Sequence, residues 1–184
     1  IVGGGGWTEE ARRDMEAFAA NTNVPVAASF RCQDYFDNLH PCYAGHVGIG
    51  INPLLASQLR EADLVVSLGA RLGEMTTSGY SLFAVPRMEA SFVHVYPDPS
   101  EIGRVYAPDL GIVASSAATA RALRLRTSGT RSPTWVERMH RAYLDQLSLP
   151  ACGSQVDLAA IVSEIDRQLA PDDIVTNGAG NYTV

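Results

Sequence analysis

Leu64-Val65-Val66-Ser67-Leu68-Gly69-Ala70-Arg71-Leu72-Gly73-Glu74 decides the fold. The stretch enters through Ala62-Asp63, runs apolar and breaks at Gly69. A short apolar run that ends in glycine reads as a strand buried on both faces. Arg71 and Glu74 then stand just past the strand's carboxyl end. In an open α/β sheet that is where ligands bind.

Upstream of this strand the chain alternates strand and helix. Ile1-Val2, then Gly3-Gly4-Gly5-Gly6 and Trp7, reads as strand end, tight turn and helix start. Thr8 is the N-cap, and Glu9 and Glu10 complement the helix dipole. Ala11, Met15, Phe18 and Ala19 share one helical face. The glycines let backbone approach either a phosphate or another strand. The loop has neither a P-loop lysine nor a G-x-G-x-x-G spacing, so both readings stand.

Val24-Pro25-Val26-Ala27-Ala28-Ser29 is expected as the second strand. Residues 30–45 read as an ordered surface loop; Asp34, Asp37, His40 and Cys42 within it match no zinc spacing. Gly45-His46-Val47-Gly48-Ile49-Gly50 reads as a second glycine loop, in which His46 meets a ligand or a backbone partner. Asn52 and Pro53 open a helix with Leu54, Leu55 and Leu59 on its apolar side.

Downstream, Met75-Thr76-Thr77-Ser78-Gly79-Tyr80 reads as polar and flexible, and Phe92-Val93-His94-Val95-Tyr96 as the next strand. Asp98 either accepts hydrogen bonds from a ribose or caps the turn at Pro99-Ser100-Glu101. Leu110-Gly111-Ile112-Val113-Ala114 is expected as the last strand. Ser115 or Ser116 then caps a helix with Ala118, Leu123 and Leu125 facing inward. This order predicts a doubly wound parallel α/β sheet with helices on both faces, Rossmann-like and of the NAD/FAD-binding type.

That domain is expected over 1–126. Residues 127–155 read as a linker with one helix, opened by Ser132-Pro133 and carrying Trp135, Met139, Ala142 and Tyr143 on one face. Leu149-Pro150-Ala151-Cys152-Gly153 breaks it. Asp157 caps a further helix striped with Leu158, Ile161, Ile165 and Leu169, and Ile174-Val175-Thr176 reads as a strand. Residues 156–184 thus look like the truncated opening of a second α/β domain. Both ends look cut, so the chain is expected to be a fragment of a longer polypeptide.

Bulk properties exclude several classes. Formal net charge is −6 over 184 residues, and the basic residues are scattered. Nucleic acid and anionic membrane need clustered Lys/Arg, so neither is expected as a partner. No run of about 18 apolar residues exists, and no signal peptide is visible. Cys32, Cys42 and Cys152 form no CxxC pair, which suggests a reducing, cytoplasmic setting.

The pieces together resemble the central domain of thiamine-diphosphate-dependent enzymes of the acetolactate synthase group. The resemblance rests on Ile1-Val2-Gly3-Gly4-Gly5, Gly45-His46-Val47-Gly48 and the stretch from Ala62 to Arg71. It continues in His94-Val95-Tyr96-Pro97-Asp98 and Glu101-Ile102-Gly103. The tail Asp173-Ile174-Val175-Thr176-Asn177-Gly178-Ala179-Gly180 is similar to the opening of the diphosphate-binding domain.

The resemblance implies a parent enzyme that uses thiamine diphosphate and Mg²⁺ on a 2-oxo acid, for carboligation or decarboxylation, as a homodimer or homotetramer. The family's activating glutamate belongs to the pyrimidine-binding domain, and its metal motif lies beyond the matched residues. No catalytic residue and no metal ligand is therefore assigned here, and the fragment alone is expected to be inert.

In some relatives the central domain holds FAD or ADP. The matching positions are Gly4, Gly5, Gly45, His46, Gly48, Arg71 and Asp98, with Gly178 and Gly180 on the diphosphate side. The sequence departs from the flavin type at Gly73-Glu74, where paired acids are usual, and at Ala114-Ser115, where Gly-Asp is usual. An architectural domain without ligand is the expectation. In it Arg71 pairs with Glu74 or caps a carbonyl. The competing reading is an FAD/ADP-binding module of a flavoprotein.

Overall fold

The computed structural model describes residues 1–127, 132–148, 156–170, 172–176 and 178. They form two compact units, Ile1–Tyr143 and Leu144–Val184. Gly180, Cys152, the linker positions 128–131 and the break at 149–153 lie outside the described residues.

Among its described residues the first unit holds five strands: β1 (Val26–Ala28), β2 (Tyr43–His46), β3 (Leu64–Leu68), β4 (Ser91–Tyr96) and β5 (Leu110–Val113). Every pairing is parallel: β1 with β2, β3 with β4, and β4 with β5. Val2 joins the two groups by parallel bridges to Ala28 and to Leu68. The order across the sheet is therefore β2-β1-Val2-β3-β4-β5, with β3 well inside, as its apolar run predicts. The order reverses at Val2, so the crevice beside its carboxyl end is the topological switch point of a Rossmann-like fold.

The two faces are filled by strand alternation. Ala27, Val65 and Phe92 point into one core with Leu55 and Met139. Val26, Ala28, Leu68 and Val95 point into the other with Ala11, Met15, Ala19 and Ala120. The helices follow: α1 (Glu9–Thr22), α2 (Pro53–Arg60), α3 (Ser116–Leu123) and α4 (Thr134–Gln146). Each of the first three starts on the cap expected from sequence. The Thr8, Asn52 and Ser115 side chains accept from the amides of Ala11, Leu54 and Ala118. Small Ala11, Ala19 and Ala120 let α1 and α3 lie close on one face of the sheet.

Several local expectations need correction. Residues 30–45 are not all surface loop: Phe36, Cys42, Tyr43 and Ala44 are buried, and β2 runs through Gly45 and His46. Its run is short and glycine-broken, so period and composition hid it. Of the inward positions expected on α3, Ala118 is exposed and Leu125 is 78% exposed; Ser116 and Ala120 face in instead. The helix ends at Leu123, which takes Leu125 off the helical face. The stretch after β3 is a compact turn with Thr76 and Thr77 buried, Thr77 Oγ1 donating to the Gly73 carbonyl at 2.9 Å.

Most of α4 belongs to the first unit. Val136 and Met139 are buried, Trp135 Nε1 donates to Gln58 Oε1 at 2.8 Å, and His140 Nδ1 lies 2.8 Å from the Tyr43 carbonyl on β2. The helix thereby shields the outer edge of β2, which would otherwise present free backbone.

In the second unit, α5 (Leu158–Gln168) is capped by Asp157, whose carboxylate accepts from the Ala160 amide at 3.1 Å. Ile174, Val175 and Thr176 form no strand, and Ile174 is 87% exposed. A strand exists by pairing, and no partner strand is present among the described residues of this unit.

Candidate functional site

The carboxyl ends of the parallel strands make a crest, and the resemblance places its candidate residues there. The structure brings some of them together and separates others. Its organising feature is a backbone crossing. Gly3 N donates to the Leu68 carbonyl at 3.1 Å, and Gly69 N to the Val95 carbonyl at 2.9 Å. A Cβ on Gly4 would sit 1.8 Å from the Gly69 carbonyl oxygen, and Gly4 has φ +75°. A Cβ on Gly69 would sit 2.6 Å from the Gly3 carbonyl oxygen and 2.3 Å from Ser116 Oγ. Gly3, Gly4 and Gly69 are thus consumed by the passage of two chain segments over each other. Ser116 Oγ is buried and unpaired inside this crossing, shut away from solvent.

Gly5 differs: nothing lies within 4 Å of its Cβ position. Gly5 and Gly6 are exposed, and aromatic rings pack beside their loop. Trp7 Nε1 donates to the Gly3 carbonyl at 2.8 Å, and the Trp7 ring stacks on Tyr35 at 5.3 Å. Gly4 also donates a backbone hydrogen bond to the Cys32 thiol, whose pKa burial pushes up. Neither Cys32 nor buried Cys42, also pushed up by burial, is a poised thiolate.

The second glycine segment splits in two. Gly45 lies within β2, its Cβ position 3.5 Å from the Tyr143 ring, so it serves the packing of α4 and not the crest. His46 ends the strand, and its Nε2 lies 2.9 Å from the Ile49 carbonyl, closing the turn. Gly48, at φ +112°, packs 2.8 Å from the Met75 carbonyl oxygen and 3.0 Å from Phe30 Cβ, measured from its Cβ position. The backbone partner is therefore the observed role of His46.

Arg71 stands at the end of β3 and does not pair with Glu74. Its Nε donates to the Tyr96 hydroxyl at 2.9 Å, its guanidinium lies over the Tyr96 ring at 5.6 Å, and Glu101 Oε2 is 3.5 Å away. The reason is position: Tyr96 is the last residue of the neighbouring strand β4, whereas Glu74 lies in the turn beyond Gly73. Glu101 also reaches Arg104 at 3.5 Å. The Tyr96 hydrogen bond first, and the carboxylate of Glu101 after it, raise the Arg71 pKa further.

Asp98 caps its turn. Its Oδ1 accepts from the Ser100 amide at 2.9 Å and the Ser100 hydroxyl at 2.8 Å, and these bonds hold its carboxyl below the usual range. Sequence reasoning missed two contributors, Tyr96 and His94. Buried His94 lies 3.2 Å from the Ala70 carbonyl through Nε2, beside the Ser67 hydroxyl that donates to the same oxygen at 2.9 Å. Their alternation on the sheet face was visible, but not that they brace the turn bearing Arg71.

On the diphosphate side Gly178 is exposed, and Gly180 lies outside the described residues. No group of His, Cys, Asp and Glu side chains that could hold a metal exists among the described residues. No described helix is long and apolar enough to cross a membrane. Among the described residues of the first unit, His46, Arg71 and Asp98 are engaged by neighbours, while the buried Asp14 Oδ2, Tyr106 hydroxyl and Ser116 Oγ have no hydrogen-bond partner.

Comparison with known proteins now adds identity. A family profile described as "Thiamine pyrophosphate enzyme, central domain" matches residues 1–123. The chain is similar to the acetolactate synthase large subunit of Corynebacterium glutamicum, 24% identical over 98% of this chain and 30% of that protein. It is likewise similar to the acetolactate synthase large subunit of Parasynechococcus marenigrum, 28% identical over 98% of this chain and 30% of that protein. To the sulfoacetaldehyde acetyltransferase of Rhodobacter capsulatus it is 32% identical over 68% of this chain and 21% of that protein. The chain thus spans under a third of the length of these curated relatives. Together with the parallel sheet and its switch-point order, the profile match is decisive: the chain belongs to the thiamine pyrophosphate enzyme family and contains its central domain.

Proposed function

We propose that this chain serves as the connecting domain of a larger thiamine-diphosphate-dependent enzyme that acts on 2-oxo acids, by carboligation or decarboxylation. The carrying observation is the contrast between an intact Rossmann-like framework and the absence, among the described residues, of any poised chemical group. Three of the crest's ionisable side chains, His46, Arg71 and Asp98, are engaged by a neighbour. Thiamine diphosphate would supply the electron sink of such an enzyme, and no described residue of this chain fits the cofactor's Mg²⁺. The chain's own contribution is to hold the parts of that enzyme in register. This reading includes a cytoplasmic homodimer or homotetramer and assigns no catalytic role to this chain.

The flavoprotein-module alternative draws its support from the glycines and Arg71, and their observed contacts weaken it. A titration of thiamine diphosphate with Mg²⁺ separates the readings. Residues 1–184 alone should show no saturation, and the longer polypeptide should saturate. Saturable binding by residues 1–184 would move the cofactor onto this chain. Absence of binding by both would remove the thiamine reading.

A further inference from the structure

We propose that a cavity at the amino ends of β3 and β4, opposite the crest, binds a small α-amino acid with an apolar side chain. The cavity measures about 270 Å³ and opens between the end of α2 and the loop 81–90 that leads into β4. The bond from the Ser91 amide to the Asp63 carbonyl at 2.9 Å joins the starts of the two strands beside it. Sites for drug-sized molecules begin near about 300 Å³, so this one suits a small metabolite.

Its floor is apolar and fixed. Leu82, Phe83, Met88 and Ala90 line it, and all four are buried in the core on this side of the sheet. Phe83 is held edge-on against Tyr106, with ring centroids 6.1 Å apart. Such a floor favours a ligand that carries hydrocarbon.

Its rim is charged. Arg60 closes α2, where the helix dipole favours a cation, and Glu89 stands two residues before β4. Both are exposed, both line the cavity, and neither side chain has a hydrogen bond or ion pair among the described residues. Arg87, in the same loop, instead pairs with Asp109 at 3.1 Å. The backbone adds donors. Met88 and Ala90 are buried, yet their amides donate no hydrogen bond among the described residues. An amide in a buried residue takes its partner from whatever fills the adjoining space.

An uncommitted cation, an uncommitted carboxylate and an apolar floor together match a zwitterion. The ligand's carboxylate accepts from Arg60 and the loop amides, its ammonium donates to Glu89, and its side chain rests on Phe83 and Met88. A plain carboxylic acid would meet Glu89 as a like charge, and a plain amine would meet Arg60 in the same way, so both are selected against. The site lies at the far end of the strands from the crest. Binding is read on this domain itself, whatever reaction the larger enzyme carries out.

The test is equilibrium dialysis of the protein with radiolabelled L-leucine, competed by glycine, isocaproate and isoamylamine. Saturable leucine binding is expected with a Kd below about 1 mM, and each competitor should bind at least about tenfold more weakly. Arg60→Gln and Glu89→Gln, both at exposed positions, should each weaken leucine binding at least about tenfold. Absence of saturable binding up to about 10 mM leucine overturns the proposal. So does competition by any of the three analogues equal to that of leucine, or full affinity in either variant.

Discussion

The Arg71 Nε atom lies 2.9 Å from the Tyr96 hydroxyl, joining the turn after β3 to the end of β4. Arg71 is 63% exposed in its side chain, so its pairing with Glu101 is screened by solvent. Arg71→Ala is therefore expected to leave the urea midpoint nearly unchanged while loosening the loop that carries Asp98. Parallel urea titrations and hydrogen exchange of the two proteins check this. A large drop in midpoint would mean that the contact stabilises the whole fold.

Neighbouring glycines should respond very differently. Gly4→Ala places a methyl group against the Gly69 carbonyl in a left-handed backbone conformation, and is expected to cost more than about 4 kcal/mol or prevent folding. Gly5→Ala meets open space and should change stability by less than about 1 kcal/mol. Equilibrium unfolding of both variants checks the contrast. Equal effects would contradict the crossing as the reason for the glycines.

The architecture was legible where periodicity and caps speak directly. The apolar run at 64–68 identified a buried strand, and Thr8, Asn52 and Ser115 marked helix starts. What escaped was decided by partners distant in sequence. β2 is recognisable only once Tyr43 packs on Tyr143 at 4.8 Å and α4 covers its edge. Arg71 chose Tyr96 over Glu74 because strand neighbours meet across the sheet, which spacing along the chain does not reveal. Among the candidate residues, the glycine runs stand out in sequence, but spacing along the chain does not reveal that carbonyl oxygens of Gly69 and Met75 lie beside Gly4 and Gly48.

The packing of α4 gives a stability prediction. Met139 is buried in the core beside Phe92 and Leu55, although it follows the polar stretch that read as a linker. Met139→Ala should cost about 2–5 kcal/mol, comparable to a core strand position. Urea unfolding of the variant checks this. A cost below about 1 kcal/mol would mean that α4 is an appendage.

Acid should weaken the fold through His94. Burial lowers its pKa in the folded protein, opposed by the bond to the Ala70 carbonyl and by Glu101. The unfolded chain therefore binds the proton more readily, so stability is full above the ordinary histidine range and falls as pH drops through it. His40, also lowered by burial, acts in the same direction. His94→Gln keeps a donor for Ala70 and should flatten the decline in melting temperature between about pH 7.5 and pH 5.5. An unchanged slope would assign the acid sensitivity elsewhere.

The most direct test of the connecting-domain account is turnover of pyruvate and related 2-oxo acids by the intact polypeptide, with thiamine diphosphate and Mg²⁺ each supplied or withheld. Consumption of such an acid is predicted only when both are present, without need of added FAD or ADP. No consumption of any 2-oxo acid, or consumption indifferent to thiamine diphosphate, would contradict it.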